Sequence, residues 1–296
     1  RPFRVSGEEL SLSVRAGFAL APDHASDGDS LVKAGETALA EARRVGHGVH
    51  LMMYSEAMKT AAFARISLES ALRRAVGGDE LRLYFQPKVD MRSRRMVGAE
   101  VLLRWVHPER GLVSPGEFVP LAEESGLIAL LSDWVLDQAL AAMARWKAAG
   151  LPWVPVSVNL CAAQFRSERL ATDVGAALRR HGVDGRQLEI EVTESVLMHD
   201  VDLATKLLAE LASLGVRAAI DDFGTGYSSL AYLKQFRLDT LKIDRSFVAE
   251  LETDPGDAAI IGAIIALARN LRIGVVAEGV EDALQARILM ERGCPV

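Results

Sequence analysis

From Leu81 onward the sequence alternates strand-like and helix-like segments, and this rhythm restricts the fold more than any other feature of the chain. Short runs rich in Val, Ile, Leu and aromatics predict strands at Leu81–Gln86, Met96–Trp105, Trp153–Leu160, Gln187–Thr193, Val216–Asp222, Asp239–Ile243 and Ile273–Glu278. Helical periodicity fills most of the gaps. It predicts helices at Pro115–Ala149 (as two helices broken near Ser132), Ala163–His181, Met198–Leu214, Ser228–Phe236, Pro255–Leu271 and Glu281–Arg292. Strands joined by helices make a parallel α/β sheet, and seven of them predict a TIM-like (β/α)8 barrel whose last strand would begin where the sequence stops. With 50% hydrophobic residues, the 296-residue chain has enough apolar material for such a core.

Barrel strands are covered on both faces, so they should be apolar throughout. Here one parity of several strands is polar instead: Glu100 and Arg104, Ser157 and Asn159, Glu189, Glu191 and Thr193, Lys242 and Asp244, and finally Glu278. Each set falls near a strand's C-terminal end, where barrel enzymes build their sites. Asp221 and Asp222 are adjacent, so a regular strand sends them to opposite faces; both reach one site only if the strand ends there, with Gly224 and Gly226 easing the bend. Gathered carboxylates repel one another and are costly to bury without counter-charge. Arg104 and Lys242 cannot neutralise Glu100, Glu191, Asp221, Asp222 and Glu278 together, so cations are expected. Carboxylates with one Asn amide are hard oxygen donors that suit Mg²⁺ or Mn²⁺ rather than Zn²⁺. Two such ions about 3.5–4 Å apart serve in-line displacement at phosphorus.

Upstream, residues 1–55 read as a separate short unit: a strand over Leu10–Leu20, a turn at Pro22–Asp29, a helix over Ser30–Arg44 and a strand over Val49–Tyr54. These elements are too few for their own core, so sheet partners are expected before Arg1. Residues 56–75 predict a helical linker, and 76–296 the catalytic barrel. The first residue is Arg rather than Met, which suggests a piece of a longer chain. No run is apolar and long enough to span a bilayer, and the two cysteines, Cys161 and Cys294, have no metal-ligand spacing; a cytoplasmic location is expected. The net charge of −6 speaks against a nucleic-acid polymer as partner.

The motifs in this pattern resemble the EAL domain family of cyclic di-GMP phosphodiesterases. They are Glu100-Val101-Leu102 within Glu100–Trp105, Tyr84-Phe-Gln-Pro87, Phe118–Gly126, Val158-Asn159-Leu160, Glu191-Val-Thr-Glu194, Asp221–Gly226, Leu241-Lys-Ile-Asp244 and Ala277–Glu281. The resemblance implies hydrolysis of cyclic di-GMP to linear pGpG with two Mg²⁺ or Mn²⁺ ions, Ca²⁺ being inhibitory. It implies Glu100, Asn159, Glu191, Asp221, Asp222 and Glu278 as metal ligands, with Lys242 activating water beside Glu100 and Glu278. Gln86 and Arg104 would bind substrate, and Glu194 and Glu281 would stabilise loops. A homodimer through the EAL domain and an upstream sensor or GGDEF region of the same chain are the implied partners. The family's Gln-Gly-Tyr strand would lie beyond Val296. Residues 1–55, through Ser13–Leu20 and the helix Leu31–Arg44, resemble the C-terminal part of a GGDEF, diguanylate cyclase-like domain.

Isolated, any of these polar strand residues could be a helix cap or a barrel-end ion pair; their recurrence on one parity favours a site. Gly77-Gly78-Asp79-Glu80-Leu81 nearly spells GGDEF, but it opens a strand rather than preceding the Ser13 segment and reads as a loop. A non-catalytic receptor for cyclic di-GMP is the alternative function, disfavoured by the complete ligand set.

Overall fold

Strands that are apolar on both faces need helices on one side and packed side chains on the other, and the larger part of the chain is arranged accordingly. The computed structural model describes residues 3–5, 8–10, 14–45, 51–224 and 230–296. The chain divides into two units, Arg1–Arg74 and Ala75–Val296.

In the first unit β1 (Phe3–Val5) pairs antiparallel with β2 (Glu8–Leu10), and β3 (Ala16–Phe18) pairs parallel with β4 (Leu51–Met53) across the helix α1 (Gly28–Val45). The single strand expected over Leu10–Leu20 is thus two strands with different partners; residues 11–13 lie outside the described ones. Ala34 and Ala38 of α1 bury against Tyr54, Ala19 and Met52. Residues 56–75, expected to be helical, lie in the helix α2 (Glu56–Val76).

The second unit opens with β5 (Leu81–Asp90), β6 (Arg95–His107) and β7 (Gly111–Val113), which form an antiparallel meander. This corrects the expected all-parallel βα pattern. Only Met91–Arg94 separate β5 from β6, a hairpin turn, whereas a parallel crossover needs a dozen residues or more. Helices α3 (Pro115–Glu124) and α4 (Ile128–Ala148) follow. Their break lies at 125–127, where Gly126 has φ 74°, and not near Ser132, which is buried within α4.

Beyond them come β8 (Val156–Asn159), α5 (Ala162–Phe165), α6 (Leu170–His181), β9 (Leu188–Thr193), α7 (Glu194–His199), α8 (Val201–Ser213), β10 (Arg217–Phe223) and α9 (Leu230–Leu233). The unit closes with β11 (Thr240–Ile243), α10 (Arg245–Ala249), α11 (Pro255–Leu271), β12 (Gly274–Ala277) and α12 (Ala283–Arg292). The expected helices at 163–181 and 198–214 are each divided, at 166–169 and at Asp200; residues 228–229 of the expected 228–236 helix are outside the described ones. Caps account for several boundaries: Asp200 accepts from Leu203 N, Asp254 precedes Pro255 and accepts from Gly256 N, and Asp282 with Gln285 forms a capping box.

The curled sheet runs β12-β11-β10-β9-β8-β6-β5, parallel from β6 to β12. Between its two edges lies the backbone of the last residues: Pro295 O accepts from Met91 N (2.7 Å) and Val296 O from Ala277 N (2.8 Å). Val101, Val156, Val158, Leu188, Ile190, Val192, Ile220, Leu241 and Ile243 carry the core against α4, α6, α8 and α11. Among the described residues no helix is long and apolar enough to cross a membrane.

One close approach sets where β9 begins. Gly185 opens the 3-10 turn Gly185–Gln187, and a Cβ there would stand 2.0 Å from Leu214 O. Both partners are backbone in short connections, so the turn must move to admit a methyl group. Gly185→Ala is expected to lower unfolding free energy by about 3 kcal/mol, the upper end of overpacking costs, in urea melts. A melt superimposable on the wild type would refute this contact as a constraint.

Candidate active site

The polar parity of the strands converges on one atom. Lys242, on β11 and only 1% exposed, points its Nζ into four carboxylates: Glu278 Oε1 at 2.5 Å, Glu191 Oε2 at 2.7 Å, Asp221 Oδ1 at 3.1 Å and Glu100 Oε2 at 3.2 Å. These residues come from β6, β9, β10 and the segment just after β12, so five neighbouring chain segments meet at one end of the sheet. Asn159, at the end of β8, donates Nδ2–H to Glu100 Oε1 (3.0 Å).

The strand end expected from sequence at Asp221-Asp222 is not found, and a bulge takes its place. β10 continues to Phe223, and its register against β11 slips between Ile220 and Phe223. Asp222 takes φ 52° inside this bulge, a left-handed conformation that Asp tolerates better than most residues. The extra residue turns Asp222 toward Asp221 and Asp244. Burial raises the Asp222 carboxyl, and the charges of Asp221 and Asp244 and its hydrogen bond with Asp244 raise it further, while Asp244, against its own burial, is lowered by its bonds from Ser246 and from Asp222.

The site holds more negative charge than its lysine balances. Burial raises the Glu278 carboxyl to about 7, Lys242 opposing and Asp221 reinforcing it. Glu100 is raised by burial and by Glu191, against Lys242 and Asn159. Burial alone would favour a neutral Lys242, but Glu191, Asp221, Glu100 and Glu278 outweigh it and hold the ammonium form well above the usual range. An excess of hard oxygen donors with raised carboxyls fits one or more divalent cations such as Mg²⁺ or Mn²⁺.

A second cation lies beneath the first. Lys88 of β5 donates to Ser157 Oγ (2.6 Å), Glu191 Oε1 (2.7 Å) and Glu189 Oε1 (2.9 Å), while Thr240 Oγ1 donates to Glu189 Oε2 (2.8 Å). Glu191, with no exposed surface, is therefore gripped by a lysine on each carboxylate oxygen. Sequence reasoning passed over Lys88, although it shares the parity of Gln86 on the same strand. It also counted Arg104 among the cations facing the cluster. Arg104 instead stands higher on β6, with its Cζ 5.8 Å from the Tyr84 ring centroid.

Of the remaining expected residues, Gln86 pairs across the ribbon with Glu100 and lines a cavity of ≈ 560 Å³ together with Lys88, Glu100, Lys242, Arg245 and Glu278. Glu194, buried at the start of α7, accepts from Gly224 N (3.4 Å), where the loop after β10 begins; residues 225–229 lie outside the described ones. Glu281 is exposed, and its backbone N–H donates to Gln285 Oε1 (2.8 Å). Glu250, Asp254 and Asp257 bring three carboxylates within 4.8 Å, largely in solvent at the start of α11.

A chain with this sheet and this strand-end cluster belongs to the EAL domain family, whose model matches residues 69–296. Among its relatives is the bifunctional diguanylate cyclase/cyclic di-GMP phosphodiesterase MucR of Pseudomonas aeruginosa, 41% identical over 294 residues, which are 99% of this chain and 43% of that protein. The cyclic di-GMP phosphodiesterase NbdA of the same organism is 38% identical over 293 residues, 99% of this chain and 37% of that one. The chain thus spans less than half the length of these relatives. A solved structure titled PaMucR phosphodiesterase, c-di-GMP complex, superposes with TM-score 0.72 at 47% identity, covering 77% of this chain and 91% of that chain.

The lower layer makes a direct prediction. Replacing Lys88 by Met removes the cation that Glu189 and Glu191 share, leaving Glu191 to Lys242 and Glu189 to the half-exposed Arg217 at 3.5 Å, and a broken buried pair costs about 3–5 kcal/mol. Lys88→Met should therefore melt well below the wild type. The double change Lys88→Met with Glu189→Gln should recover part of the loss, and a single variant as stable as wild type would contradict the pairing.

Proposed function

We propose that this chain hydrolyses cyclic di-GMP to linear pGpG. The observation that carries the reading is the convergence of Glu100, Glu191, Asp221 and Glu278 on the buried Lys242, in a chain of the EAL domain family. Glu100, Asn159, Glu191, Asp221, Asp222 and Glu278 would hold two Mg²⁺ or Mn²⁺ ions. Such ions, when bound, neutralise phosphate oxygens and make water more acidic.

The chain's own groups supply position. Lys242 stays an ammonium in its carboxylate surroundings and donates hydrogen bonds to the attacking water. Glu100 and Glu278 hold that ammonium from either side. Water oxygen bonds to phosphorus, the P–O3′ bond breaks, and the 3′ oxygen leaves with a proton, so one water opens the ring and leaves a 5′ phosphate. Gln86 and Arg104 face the substrate from the β5–β6 ribbon.

Residues 1–55 are read as the C-terminal part of a GGDEF-like domain, 56–75 as a linker and 76–296 as the EAL domain. The MucR match supports this, since it extends over 294 residues and that protein is named for both activities.

The test is turnover. Purified protein with Mn²⁺ or Mg²⁺ should convert cyclic di-GMP to pGpG by chromatography, Ca²⁺ should inhibit, and Glu100→Ala should slow the reaction by more than ~100-fold, beyond what loss of a supporting group costs. Hydrolysis that survives Glu100→Ala would sink the assignment. Tight binding with no product over hours would favour a receptor instead.

A further inference from the structure

The antiparallel ribbon β5–β6 rises from the carboxylate cluster, and one of its faces is polar except for Leu102. Its register sets Gln86 opposite Glu100, Tyr84 opposite Leu102 and Arg82 opposite Arg104. Alternation puts all six on one face, while Leu83 and Phe85 turn the other way into the core. Arg104 is four residues beyond Glu100, about 14 Å along the strand at ~3.4 Å per residue.

Arg82 and Arg104 are an unfavourable pair as they stand. Residues directly opposed in an antiparallel ladder have Cβ atoms about 4.5–5.5 Å apart, and like charges there repel. Among the described residues neither guanidinium has a salt bridge. Each donates a single Nη1 hydrogen bond to the carbonyl preceding it, Arg82 to Leu81 O (3.0 Å) and Arg104 to Leu103 O (2.9 Å). That leaves most of each donor fork free. Tyr84, between them and the cluster, is 56% exposed and offers a flat aromatic face beneath Arg104. Two opposed cations with free forks suit a shared anion, and an exposed ring beside them suits a base.

We propose that Arg82 and Arg104 form a two-arginine clamp for a phosphodiester, with Tyr84 as the surface on which the adjoining purine rests. Resting on the phosphodiesterase reading, the clamp takes the phosphodiester of cyclic di-GMP that is not cut. A ring dinucleotide carries two phosphates, and a site that hydrolyses only one must hold the other away from Lys242. The resemblance to the EAL family implied a substrate role for Arg104; Arg82 and Tyr84 are new to it.

The test uses two ligands. Inorganic phosphate is titrated by phosphorus NMR, without divalent ions, into the wild type, Arg82→Gln, Arg104→Gln and the double variant; cyclic di-GMP turnover is measured with Mn²⁺. Arg82→Gln should weaken phosphate binding and raise KM for cyclic di-GMP by about tenfold each, the scale of a charge-assisted hydrogen bond, with the loss in KM much larger than that in kcat. Arg82→Lys should recover only part, since an ammonium lacks the planar fork. Because the clamp relieves repulsion only when occupied, Arg82→Gln should melt no lower than the wild type; a lowered melting temperature would mark a structural role and overturn the proposal. Unchanged phosphate affinity in Arg82→Gln, or no phosphate binding by the wild type, would also overturn it. If the wild type fails to hydrolyse cyclic di-GMP, the phosphodiesterase reading falls, and the phosphate titration still decides the clamp.

Discussion

Burying an ammonium group is tolerable only when acceptors surround it, and burying several carboxylates is tolerable only when a cation stands among them. Lys242 and its four carboxylates satisfy both conditions at once, and the rest of the second unit is organised to bring them together. Glu100, Glu191, Asp221, Lys242 and Glu278 come from segments separated by up to 178 residues in sequence, 278 minus 100. Parallel pairing from β6 to β12 lines up their strand ends, so that residues with no sequence proximity share a space a few ångströms wide.

Glu191 is the pivot of this arrangement. Lys242 holds one of its oxygens and Lys88 the other, which joins the exposed end of the site to a buried layer of Ser157, Glu189 and Thr240. Burial resists charge on Glu189, but Lys88 and the hydroxyls of Ser157 and Thr240 overcome it and keep its carboxyl below the usual range. The lower layer therefore fixes the geometry from which the upper, charge-rich layer works. Raised carboxyls at Glu100, Asp222 and Glu278 show where the balance is left incomplete, at the solvent side of the cluster where cations would add to it. The β5–β6 ribbon extends the same polar face outward and gives the site a wall, ending at the opposed pair Arg82 and Arg104.

Much of this was legible in the sequence, because period-2 alternation is a local property. Polar residues on one parity of otherwise apolar strands identified Glu100, Asn159, Glu191, Lys242 and Glu278 as facing a common space, and short apolar runs between helical patterns identified the parallel α/β sheet. The same rule applied to β5 would have added Lys88. Three features were hidden for different reasons. The antiparallel start of the sheet follows from a connection too short for a crossover, and segment type alone does not reveal direction. The helix break at 125–127 depends on Gly126 taking a positive φ, which glycine permits without requiring. The approach of Asp222 to Asp221 depends on a bulge, and a bulge is a mismatch between two strands rather than a property of one.

By itself, then, the sequence determined which side chains face inward and what chemistry they bring, since alternation and residue type are written into each strand. Tertiary structure decided which of them meet. Lys242 rather than Arg104 occupies the centre of the carboxylates, Lys88 supports it from below, and Arg104 faces Arg82 instead, because register between strands, set by pairing across the whole sheet, places each charge relative to the others.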